Sequence, residues 1–158
     1  MEARAKFLGH PVHQMLIAFP LGLLGGAVAF DLLYWALDRP VMADVAYWTM
    51  AGGLLGGLAA APFGFIDWLA IPKGSRARHV GRLHGLGNLV VMGLFAGSWW
   101  VRHQQTDHVA LTGTALSLAG VALALVTAWL GGELVSRLGI GVADVANVDA
   151  RSSLDERA

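Results

Sequence analysis

The sequence predicts an all-α integral membrane protein, a four-helix antiparallel bundle with both N- and C-termini cytoplasmic. Three observations carry this expectation. Residues 14–30, 45–66, 83–101 and 109–132 contain no Asp, Glu, Lys or Arg, and an α-helix needs about 20 apolar residues to cross roughly 30 Å of hydrocarbon. Charged residues make up only 14% of the chain, a deficit that excludes an ordinary soluble fold. The Lys and Arg residues fall almost wholly on one side of these four stretches.

The spans follow in order. The first covers about 13–37; Pro11 suits a first helical position, and Pro20 predicts a kink. The second covers about 44–70 and stops before Pro72, which cannot continue a helix. The third covers about 81–103. The fourth covers about 109–132 and ends at Gly131-Gly132, a helix-stop signal. Short linkers favour an up-down-up-down order. Residues 1–143 thus form one four-span transmembrane domain, and residues 144–158 a polar tail expected to fray.

Charge sets the orientation. The N-terminus, the 71–82 loop and the C-terminus share one side and hold Arg4, Lys6, Lys73, Arg76, Arg78, Arg82, Arg137, Arg151 and Arg157. The other side holds only Arg39 and Arg102. An excess of Lys and Arg marks the cytoplasmic side, so the expected location is a bacterial inner membrane, multi-pass. All six tryptophans fall near span ends, as an aromatic belt requires.

Composition excludes several chemistries. There are no cysteines, hence no disulfide, c-type haem attachment, Cys-ligated iron–sulfur cluster or thiol catalysis. Net charge is zero, and no nucleic-acid partner is expected. No cleavable signal peptide is apparent. Ser75, Ser98, Ser117 and Ser136 have no His and acid at suggestive spacing, which argues against hydrolysis.

Glycine recurs at helical spacing in Gly22/Gly26, Gly52/Gly56, Gly53/Gly57, Gly81/Gly85 and Gly93/Gly97. Such pairs let helices approach closely in lipid, within the monomer or across a homodimer, or make room for a flat cofactor.

Ionisable groups at membrane depth are functional candidates. His13 and Asp31 lie about 27 Å apart along one helix, hence at opposite faces. The inner layer holds His10, His13, Asp67, Arg82, His84, Asn88 and Glu133; His84 and Asn88 share a helix face. The outer layer holds Asp31, His103 and His108. Three readings of the inner layer compete. In the first the groups are structural salt bridges and caps. In the second His13 and His84 ligate a b-type haem, glycines give the ring room, and Arg78 or Arg82 pairs a propionate. In the third His10, His13, Asp67, His84 and Glu133 hold a transition metal ion such as iron, copper or zinc. Ion transport is disfavoured because no charge sits at mid-membrane. His79 reads as solvated. The basic loop Lys73–Arg82 reads mainly as a topology signal, with anionic lipid as a lesser role.

Several strings together resemble a known family: Gly9-His10-Pro11-Val12-His13-Gln14-Met15-Leu16 with Phe19-Pro20, Gly64-Phe65-Ile66-Asp67-Trp68, Arg82-Leu83-His84 with Asn88, and Gly131-Gly132-Glu133-Leu134-Val135 before Gly139-Ile140-Gly141-Val142. Over about residues 8–143 the chain resembles the bacterial four-helix membrane domain known as domain-of-unknown-function family 2231. Gln14 departs from it, since the family more often has proline there. The resemblance implies the four-span fold and no established activity. Some relatives are joined to Rieske-type or cytochrome-like domains, which implies membrane redox chemistry by association.

The expectation is therefore a membrane redox protein, more an electron carrier than a catalyst. It would hold a b-type haem on His13 and His84 near the cytoplasmic face, with Arg82 and Asn88 beside it. A quinone or redox protein would be its partner. The alternatives are a non-haem metal-binding membrane protein and a cofactor-free structural subunit of a larger complex.

Overall fold

The computed structural model describes residues 1–155. A short hairpin, β1 (Lys6–Phe7) with β2 (His10–Pro11), precedes five α-helices. These are α1 (Val12–Leu16), α2 (Ala18–Leu37), α3 (Pro40–Ala70), α4 (Arg76–Val101) and α5 (Leu111–Gly132). A π-helical turn, Glu133–Arg137, continues α5. Three segments are long and apolar enough to cross a membrane: Val12–Leu37, Pro40–Ala70 and Leu111–Arg137. Helix α4 has 26 residues, but Arg76, Arg78, His79, Arg82 and His84 crowd its first turns and lower its apolar character.

Local chemistry explains where the elements differ from expectation. The first span is two helices, not one kinked helix. Pro20 has no N–H for the Leu16 carbonyl, and the break falls at Ile17, three residues before the proline. Pro11 sits just outside α1 with extended backbone, as its N-cap. Helix α3 starts at Pro40, a position where a missing N–H costs nothing, and it runs through Pro62. Helix α4 starts at Arg76 because the Ser75 hydroxyl caps it, accepting from Arg78 N at 3.1 Å. Most of the expected basic loop is therefore helix. The α-helical part of α5 stops at Gly132, and the chain continues without a break as the wider π-helical turn.

Helix α2 packs mainly on α3, and α4 mainly on α5. Both pairs run in opposite directions. Phe19, Leu24 and Gly26 of α2 meet Gly56, Gly53 and Thr49 of α3, while His84, Phe95 and Gly97 of α4 meet Gly131, Gly120 and Leu116 of α5. Lesser contacts join α3 to α4 and α2 to α5. The core gathers Leu24, Ala27, Val28, Met50, Val91 and Phe95, flanked by Leu54, Met92 and Val121. The opposite faces carry exposed leucines such as Leu55 (68%), Leu89 (69%) and Leu125 (69%), a pattern that only lipid satisfies.

Glycine at 53 is required by packing: a Cβ there would lie 2.6 Å from Leu24 Cδ2. Gly22, Gly85 and Gly93 have open space beside them, whereas their pair partners Gly26, Gly81 and Gly97 meet Thr49, Trp68 and Leu116.

The chain's two end segments meet at one end of the molecule. The Met1 ammonium donates to Gly139 O at 3.0 Å, and Gly141 N donates to Met1 O at 2.9 Å. In the tail the Ser153 hydroxyl donates to Leu8 O at 2.9 Å.

Candidate functional site

Two histidines hold matching positions at that end. His13 of α1 places Nδ1 3.0 Å from the Ala60 carbonyl of α3. His84 of α4 places Nδ1 2.9 Å from the Thr127 carbonyl of α5. A carbonyl only accepts, so each Nδ1 carries a proton, and in the neutral ring that tautomer leaves the lone pair on Nε2. Each ring packs against a glycine one turn beyond its anchor. A Cβ on Gly64 would come 2.7 Å from His13 Cε1, and one on Gly131 would come 3.0 Å from His84 Cε1. Both imidazoles are half-buried.

Asn88 stands one turn above His84 and links it to α5. Its Nδ2 donates to the His84 carbonyl at 3.0 Å, and its Oδ1 accepts from Thr127 Oγ1 at 2.9 Å. The same Nδ2 lies 3.2 Å from His84 Nε2 and 3.4 Å from Nδ1. Nearly equal distances put the amide against the ring face, away from the in-plane lone pair of Nε2. Among the described residues nothing donates to His13 Nε2.

The remaining inner candidates take other partners. His10 lies in β2, exposed, beside Ser153 Oγ at 3.4 Å. Asp67 Oδ1 accepts from Arg4 N at 2.7 Å and Ala5 N at 3.0 Å, tying down the N-terminal segment. Glu133 pairs with Arg76 at 2.6 Å. Arg82 is exposed beside His79 at 3.4 Å. Arg78 is spent on the Trp68, Leu69 and Ile71 carbonyls and on the face of Trp68. The five-residue set His10, His13, Asp67, His84 and Glu133 is thus dispersed. Among the described residues no three His, Asp or Glu side chains gather as a metal site.

The outer candidates do not form a constellation either. His108 meets the Tyr34 hydroxyl at 2.9 Å, and His103 stacks on Trp100 with ring centroids 4.9 Å apart. Asp31 is fully buried against Arg102, which is 2% exposed. The guanidinium is bidentate: Nη1 donates to Oδ1 at 2.7 Å and Nη2 to Oδ2 at 3.1 Å. Ser117 Oγ also donates to Oδ2 at 3.2 Å. Arg102 further donates to Ser98 O and Ser98 Oγ, and Ser98 Oγ to Gly113 O at 2.7 Å. Ser98 and Ser117 therefore do have a charged group nearby, in a network whose polar atoms are paired. Reading Arg102 as a boundary charge missed this; an Asp and an Arg each bordering an uncharged stretch was the available signal.

A family model described as Predicted membrane protein (DUF2231) matches residues 9–144. No curated protein matches the chain. No solved structure matches it either.

Proposed function

The chain belongs to the DUF2231 family of predicted membrane proteins, and from its paired histidines we propose a membrane electron carrier that holds a b-type haem between His13 and His84. The observation that supports this is the anchoring of both rings. A ligating histidine almost always donates its second ring N–H to a carbonyl or carboxylate, which fixes the tautomer and aims the free nitrogen. His13 and His84 both do so, from separate helix pairs, and both leave Nε2 free to bind iron. Gly64 and Gly131 fit the same reading, because each clears the space its imidazole occupies. When bound, haem supplies one-electron chemistry at the iron. The protein's share is to orient the rings, exclude water with the surrounding apolar spans, and neutralise propionate charge with exposed Arg82. Asn88 is a positioning residue for His84.

In this reading four antiparallel spans lie in a bacterial inner membrane. Both termini and the Arg76–Arg82 end of α4 face the cytoplasm, because nine of the eleven Lys and Arg residues fall on that side. A quinone or a redox protein exchanges the electron, and a homodimer can form over the open faces at Gly22, Gly85 and Gly93. The specific second reading is a cofactor-free structural subunit. It is favoured by Asp67 and Glu133, which serve only as tie and ion-pair partner.

The test is a reduced-minus-oxidised absorption spectrum with iron analysis of protein expressed with haem supplied. The proposal expects a sharp α-band and one iron per chain, both lost in His13→Ala and His84→Ala. Colourless, iron-free wild-type protein rejects it and leaves the structural reading.

A further inference from the structure

The correspondence between His13 and His84 extends far beyond the two rings. Leu24 fills the space beside Gly53, and Phe95 fills the space beside Gly120. Gly26 meets Thr49, and Gly97 meets Leu116. His13, Leu24, Gly26 and Asp31 correspond to His84, Phe95, Gly97 and Arg102, each 71 positions on. The second helices keep one register of their own, in which Thr49, Gly53, Ala60 and Gly64 correspond to Leu116, Gly120, Thr127 and Gly131.

Burial follows the same correspondence. In α2 and α4 the buried positions pair as Leu24 with Phe95, Ala27 with Ser98 and Asp31 with Arg102. In α3 and α5 they pair as Ala46 with Gly113, Tyr47 with Thr114, Met50 with Ser117, Gly53 with Gly120, and Ala60 with Thr127. The packing is symmetric too. The contact of α3 with α4 has its counterpart in that of α5 with α2.

We infer that residues 12–70 and 83–137 are two copies of one helix hairpin folded about a pseudo-two-fold axis, and that Asp31 and Arg102, the same position in the two copies, are a charge lock that makes each half take the other as its partner.

The physical argument is selection against self-pairing. A hairpin with Asp31 docked on its own copy would bury two carboxylates against each other, and one with Arg102 would bury two guanidiniums. Either arrangement is strongly disfavoured, whereas the mixed pair is bidentate and fully buried. The supporting groups differ between the copies in the same sense. Arg102 has Ser98 one turn before it, where Asp31 has Ala27. Asp31 receives Ser117, whose counterpart in the first copy is the buried Met50. The lock is therefore one charge pair plus two serines, each placed to serve one orientation. It stands whether or not a cofactor binds.

The equivalence is testable in the full chain by exchanging the charges. Folded monomer and thermal unfolding in detergent are measured for D31R, R102D, D31R/R102D, and D31R/R102D with A27S and M50S. Each single reversal is expected to lose most folded monomer. The double exchange is expected to recover it, because each charge then occupies its partner's equivalent site. A27S with M50S is expected to raise the unfolding temperature of the exchanged chain and to lower that of the wild type. An exchanged chain that yields no more folded monomer than the single reversals overturns the equivalence. So does a serine pair that shifts both backgrounds alike.

Discussion

At the residue scale, two kinds of side chain decide this molecule, and each carries a prediction. Each imidazole depends on a glycine that holds no side chain. Gly64→Ala and Gly131→Ala force a methyl into His13 and His84, an overpacking of about 1–3 kcal/mol. Thermal unfolding should fall accordingly, and haem content should fall with it; unchanged haem content in both variants would detach the rings from the site. Asp31→Asn keeps the shape but leaves Arg102 buried and unpaired, at a cost of about 3–5 kcal/mol. Loss of folded monomer in detergent checks this. His13 and His84 stood out as candidates in the sequence because imidazoles bordering uncharged spans are chemically conspicuous. Their partners did not. The Ala60 and Thr127 carbonyls are backbone atoms that depend on helix rotation, which one sequence cannot fix. Arg102 was hidden because it lies 71 positions from Asp31 and ends a span, where a charge ordinarily meets water.

At the element scale, apolar length named the helices, and local cap chemistry moved their ends. The Arg76–Arg82 segment reads as a loop when charge alone bounds a span. Gly74-Ser75 is the better signal, since a serine cap starts α4 one to two turns earlier. Ser75→Ala should cost about 1 kcal/mol and fray that first turn. Faster amide exchange confined to residues 76–79 would show it, and unaltered exchange there would remove the cap from the account. The break at Ile17 has a sequence cause in Pro20, but its form as two helices required the structure. The repeat was illegible for a related reason. Equivalent positions share only nine identities: His13 and His84, Gly22 and Gly93, Leu23 and Leu94, Gly26 and Gly97, Ala43 and Ala110, Gly53 and Gly120, Leu58 and Leu125, Ala61 and Ala128, and Gly64 and Gly131. What the copies share is burial and spacing, and these are properties of the folded pair.

At the scale of the whole molecule, polarity is arranged by end. Asp67, Glu133 and both histidines lie toward the basic end, and the Asp31–Arg102 pair lies toward the other. Cysteines introduced singly at Gly74 and Asp107, exposed sites between α3 and α4 and between α4 and α5, should label from opposite sides of the membrane. Labelling of position 74 from outside intact cells would invert the topology. The helical, membrane-spanning class was legible at this scale because lipid imposes it: composition and span length answer to the bilayer. The site answers to side-chain rotation within the fold, which composition does not encode.

The central claim is that His13 and His84 ligate one iron from two equivalent hairpins. Electron paramagnetic resonance of the oxidised protein, expressed with haem supplied, tests it most directly. The account predicts a single low-spin ferric signal in the wild type, retained in His10→Ala and lost or converted to high-spin in both His13→Ala and His84→Ala. A wild-type protein with no low-spin iron signal, or one whose signal survives either of those two substitutions, would contradict it.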